Sequence, residues 1–123
     1  MKRIASLPSD EPARRLADII HAIGLIEDYV RQAGGLDALM TVENAYHDAV
    51  ERRLLIIAEA VTKLRGQIET LEPDIPWRDI RQTGNVIRHN YDGVNDAVIR
   101  SILEQDLAPL RAACERLLKH FST

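Results

Sequence analysis

Thirteen residues, Arg81 to Gly93 (RQTGNVIRHNYDG), hold two Arg, one His, two Asn, one Tyr and one Asp. Between them these side chains can carry positive charge, donate hydrogen bonds and move protons. On a helix, residues four apart share a face, so Arg81, Asn85 and His89 would line one stripe with Arg88 at its side. An imidazole titrates near pH 6.5 and can take a proton from a hydroxyl and return it, while guanidinium stays charged and suits phosphate. Those are the ingredients of RNA cleavage without metal, in which a base activates the ribose 2′-hydroxyl and a cation stabilises the crowded phosphorane. The His has a plainer reading as well. A helix C-terminus favours His through its dipole and free carbonyls, and HNYDG is a reasonable stop signal. Spacing by itself does not choose between the two.

The elements that would position this cluster follow from the apolar pattern. A first helix starts at PSDEPARR, with Ser9 or Asp10 as cap and Pro12 in the first turn, and runs to the AGG stop at Ala33 to Gly35. Leu16, Ile19, Ile20, Ile23, Ile26 and Val30 form its buried face. A second helix is expected over Val42 to Ile68. Its centre, Leu54 to Val61, is apolar almost all round, as for a helix covered on several sides or facing a partner subunit. EPDIPW breaks the pattern, and Pro76 is suited to opening a third helix from Trp77 to about His89. NYDGVND is a turn, with Asn95 or Asp96 as the next cap and Val94 before it as staple. The last helical stretch reaches about Phe121, and Pro109 should kink or split it. The expected fold is all-α, an up-and-down bundle of four to five helices, arranged as a two-fold dimer.

Composition narrows the class. A chain of 123 residues fits one domain spanning residues 1–123. Aromatics are only 4% of a 46% hydrophobic composition, so the core is built from Leu, Ile, Val and Ala. A formal charge of −3 excludes the global basic footprint of a non-specific nucleic-acid binder, and any RNA contact must come from a local patch. The single Cys114 can form neither an internal disulfide nor a thiol metal cluster and is expected in the core. The N-terminal stretch has no apolar signal core, and no window approaches a membrane span of about 18 apolar residues. A cytoplasmic protein with no membrane association is expected.

IPWRDIRQTGNVIRHNYDGV, together with ILEQDLAPLRAACERL and DAVERRLLIIAEAVTKL, resembles the HEPN superfamily and, within it, the HepT-like (DUF86) group of minimal ribonuclease toxins. The family motif is Arg, usually followed by Asn, a few residues, then His, any residue, and Tyr, on the third helix. The resemblance implies that His89 is the catalytic His, Asn85 its polar companion and Tyr91 the motif Tyr. It also implies a minimal nucleotidyltransferase antitoxin as partner, which attaches AMP to that Tyr. A phenol beside the site is a sensible target, since the added phosphodiester puts bulk and negative charge where an RNA phosphate would sit. No cofactor and no metal is called for.

One position departs: Gly84 stands where most members carry the Arg. Arg81 lies about 12 Å from His89 along a helix, and Arg88 emerges roughly 100° around it, so either replaces the missing cation only by local reshaping. Without a replacement, losing a transition-state donor costs on the order of 10²–10³ in rate. The departure therefore supports an alternative, a catalytically weak or inactive module that binds nucleotide, RNA or a nucleotidyltransferase partner.

Other polar signals read as structural. Glu43, His47 and Glu51 share a helical face and are taken as a solvated stripe with charge pairs rather than a metal site. His21 and His120 have no convergent partners in the sequence. Glu59, inside the apolar run, needs a partner such as an Arg if buried. Trp77 is expected to anchor the third helix to the core rather than stack on a base.

Overall fold

A computed structural model of the chain describes residues 10–41, 45–89 and 94–122, and among these it contains helices and turns but no strand. The first helix, α1, spans Asp10–Ala33. Its expected apolar stripe is buried, with Leu16, Ile19, Ile23 and Ile26 all lacking exposed surface, whereas Ile20 and Val30 are half-buried. Gly34 and Gly35 stop it with φ of 102° and 115°, a left-handed pair that side chains with a Cβ rarely adopt. Their N–H groups donate to the carbonyls of Arg31 and Val30, at 3.1 and 2.9 Å.

Where a plain link was expected, the chain turns directly into a short helix, α2, Leu36–Thr41. Six residues are too few for an apolar period to show in sequence, and burial of Leu39 holds the turn in place. The next helix, α3, is Ala45–Lys63, shorter than the expected Val42 to Ile68. Residues 42–44 lie outside the described part. At the other end, Gly66 takes φ 87° and the chain passes through turns to Ile75. Leu64 and Ile68 nonetheless remain buried, which explains why the apolar period runs past the helix's real end.

Helix α3 packs against α1 on one side and, on another, against α4, Trp77–Arg88, while α1 also packs against α6, Leu107–Ser122. Coverage from several sides accounts for the nearly all-apolar run of α3: Leu54, Ile57, Ala58, Ala60 and Val61 are buried. Pro76 precedes α4 as expected. Trp77 is buried and its Nε1–H donates to the Glu72 carbonyl at 2.8 Å, so it anchors the helix start to the preceding turn.

The C-terminal stretch is α5, Val94–Ser101, then a π-helical turn over Ile102–Asp106, then α6. Since α5 begins at Val94, Asn95 and Asp96 lie in its first turn rather than capping it. The break expected at Pro109 arrives earlier in the chain. Proline cannot donate to the carbonyl four residues back and its ring crowds it, and the wider π turn immediately upstream lets the helix reset before Pro109. The all-α bundle expected from the sequence is thus observed among the described residues.

Because the α1 face has no exposed surface to relax into, Ile23→Ala is expected to cost about 2–5 kcal/mol in urea unfolding. Leu71→Ala, at an exposed position, should stay within about 0.5 kcal/mol. Similar losses at both sites would contradict the core described here.

Candidate active site

The candidate site is built on the crossing of α3 and α4. A Cβ placed on Gly84 would lie 3.3 Å from the Ala58 Cβ and 3.2 Å from Nη1 of Arg88. Two small residues therefore let the helices meet closely, and the Arg88 guanidinium folds back over the space that a side chain at 84 would take. Arg88 Nη1 donates weakly to Asn85 Oδ1 at 3.4 Å, and its Nη2 lies 3.6 Å from Glu59 Oε2. Glu59 is exposed rather than buried in the apolar run, and Arg88 is the Arg partner it meets.

Beside this crossing runs an open groove of about 730 Å³, lined by Lys63, Arg65, Arg81, Arg88, Asn85 and Glu59 among others. Four cationic side chains face one carboxylate there. Arg81 is the most enclosed, with its side chain 10% exposed. It donates to Glu69, which also accepts the Gly66 N–H at 2.8 Å, so the turn after α3 is stitched to α4. Its Nε is buried and finds no hydrogen-bond partner among the described residues. Burial, and then the neighbouring Arg65 charge, lower the Arg81 guanidinium from its usual range, although an Arg remains charged at neutral pH. Like charges held together in a groove attract an anion with several oxygens, such as the backbone of a nucleic acid.

The expected stripe is divided by the end of the helix. Arg81 and Asn85 line the groove with Arg88, whereas His89 is the C-cap residue, at φ −101° and ψ 40°, its N–H donating to the Asn85 carbonyl at 3.0 Å. His89 is exposed. It terminates α4, as the stop-signal reading expected, and its side chain is open to solvent. Tyr91 lies outside the described residues. Sequence reasoning missed Lys63, Arg65 and Glu69; the basic pair straddling the end of α3 was a usable signal, but its approach to Arg81 depends on the turn at Gly66.

The supposedly solvated face of α3 is partly enclosed. His47 is buried, with its Nε2 3.1 Å from Asp96 Oδ1 on α5 and its Nδ1 3.6 Å from Glu51 Oε2. The Asp96 side chain, reaching from α5, takes the place beside His47 that water would have on an isolated helix. Glu43 lies outside the described residues. His21 and His120 are exposed, and His120 meets the Phe121 ring edge-on at 5.0 Å.

Comparison with known proteins identifies the family. The Ribonuclease HepT-like family matches residues 19–117, and the chain belongs to that family. It is 34% identical to the "Probable ribonuclease HepT" of Thermococcus cleftensis over 85% of this chain and 93% of that protein. It is 28% identical to a Methanocaldococcus jannaschii protein named "Gamma-glutamylcyclotransferase and putative RNase", over 85% of this chain but only 45% of that longer relative. No solved structure matches the chain. The helices of the described residues thus form a HEPN-like bundle, and none is long and apolar enough to cross a membrane.

Cys114 is removed from the site's chemistry. It is buried, as expected, and burial foremost, then the Glu115 and Glu72 carboxylates, push its thiol up to about 12. Thiolate is the reactive form. Native protein should therefore react with a thiol-specific disulfide reagent at neutral pH no faster than it unfolds, and stoichiometrically in denaturant. Rapid labelling of the folded chain would contradict this environment.

Proposed function

We propose that this chain is a metal-independent endoribonuclease toxin of the HepT type, with His89 as acid and base and the α3–α4 groove as the seat of the RNA backbone. The reading is carried by a groove in which Lys63, Arg65, Arg81 and Arg88 outnumber Glu59, lined in part by α4, the helix that the exposed His89 closes. Family membership and the ribonuclease names of its relatives support the same class. In the reaction, His89 takes the proton of a ribose 2′-hydroxyl. The freed oxygen attacks the adjacent phosphorus, and the 5′-oxygen departs with a proton returned by an imidazolium. The products are a 2′,3′-cyclic phosphate and a 5′-hydroxyl end. Arg88, folded over Gly84, supplies the charge that the family's Arg gives from position 84, Arg81 holds a neighbouring phosphate, and Asn85 orients the Arg88 guanidinium.

The proposal extends to a cytoplasmic homodimer whose α4 helices share one cleft, and to a minimal nucleotidyltransferase partner that modifies Tyr91 with AMP. A second reading rests on one observation: Gly84 removes the motif Arg, and Arg88, its replacement, is partly neutralised by Glu59 at 3.6 Å. The site would then bind nucleotide or RNA with little or no cleavage.

Purified protein should cleave single-stranded RNA in the presence of a chelator. His89→Ala should abolish cleavage, and Arg88→Ala should slow it on the order of 10²–10³-fold. Equal cleavage by wild type and His89→Ala would reject the enzyme, whereas tight RNA binding without cleavage by either would select the binding module. Binding itself should weaken with salt, and the slope of log affinity against log salt should fall by about 0.7 for each phosphate contact removed, as in Arg65→Ala. Co-expression with the nucleotidyltransferase should add mass in multiples of one AMP to wild type, and none to Tyr91→Phe.

A further inference from the structure

Toward the start of α3, about three turns along the helix from the groove, His47 and Glu51 stand one turn apart and meet Asp96 from the first turn of α5. One ligand atom from each lies within 4.8 Å of the other two. The imidazole is buried, Glu51 is half-buried and Asp96 reaches in from the surface. We infer that His47, Glu51 and Asp96 form a structural site for a divalent transition-metal ion of the Zn²⁺ class, which clips α5 to α3.

Several features support an ion rather than a simple set of pairs. One imidazole nitrogen and two carboxylate oxygens are the mixed donors that suit Zn²⁺ and its neighbours, while Mg²⁺ prefers oxygen donors and retained water. Bonds of about 2 Å to a central ion put ligand atoms roughly 3–4 Å apart; Asp96 now faces Nε2 and Glu51 faces Nδ1, so the carboxylates close the set by turning toward one ring nitrogen. Ligands one turn apart on a rigid helix, completed by a third from another helix, hold geometry with little ordering left to do. Two carboxylates meet one imidazole there, and a divalent ion offsets their mutual repulsion more strongly than that imidazole can. Water would fill the remaining coordination positions.

The site bears on the rest of the chain through connectivity. Asp96 lies seven residues beyond His89, and residues 90–93 join α4 to α5. Fastening α5 to α3 therefore fixes where that connection, with Tyr91 on it, must end. This role is separate from catalysis: it places no metal at the groove and stands or falls without the ribonuclease reading.

The test is titration of metal-free protein with Zn²⁺ against a chromophoric chelator, with melting temperature as a second readout. Wild type should bind one Zn²⁺ per chain and melt higher with it, and excess Mg²⁺ should not displace the ion. Asp96→Asn and Glu51→Gln, both near-isosteric and away from the apolar core, should each weaken binding by at least about 10-fold and lose the thermal shift. His120→Ala, which removes an exposed surface His, should bind as wild type. Failure of wild type to bind, or binding that either carboxylate substitution leaves undiminished, overturns the site and leaves His47 as an ion-pair clamp.

Discussion

Helices α3 and α4 can meet closely only because Ala58 faces Gly84, where an added Cβ would sit 3.3 Å from the Ala58 Cβ. Most of the site depends on that contact. It sets the depth of the groove and puts Glu59 of α3 within reach of Arg88. It also leaves the space over Gly84 into which the Arg88 guanidinium folds. A larger side chain at 84 would push the helices apart or displace Arg88. The residue that looks like a loss when read against the family motif is thus also a packing element, and the two roles have one cause: the absence of a side chain.

The groove gathers its charge by a different route. Arg81 is brought into it by the turns after α3, where Glu69 accepts both the Gly66 N–H and the Arg81 guanidinium. A largely enclosed guanidinium, with a neighbouring Arg65 and a buried Nε that has no partner among the described residues, is a costly arrangement for a purely structural residue. A second stitch, the bidentate pair of Arg116 with Glu72 at 2.8–2.9 Å, ties α6 to the same turns.

The overall fold was legible because it rests on local rules. The α1 stripe, the Gly34–Gly35 stop, the Pro76 start with its Trp77 anchor and the burial of Cys114 each follow from residue type and period. Errors came where a local signal was ambiguous. Apolar residues at 64 and 68 kept the helical period while the backbone had already turned, α2 was too short to register, and the break before Pro109 fell in a π turn that no composition marks. His47 was read as solvated because a helical wheel cannot show which other helix will cover a face.

The sequence by itself determined that the chain is helical, that its core is aliphatic, and that Arg81, Asn85, Arg88 and His89 cluster at the third helix, since these depend on side-chain type and on spacing of three or four residues. Tertiary structure alone decided that Lys63 and Arg65 join Arg81 and Arg88 in one groove, that Arg88 rather than Arg81 lies over Gly84, and that Asp96 meets His47. The first and last of those meetings join residues far apart in the chain, and all three depend on how the turn at Gly66 and the close approach of the helices arrange them, quantities that no local pattern encodes.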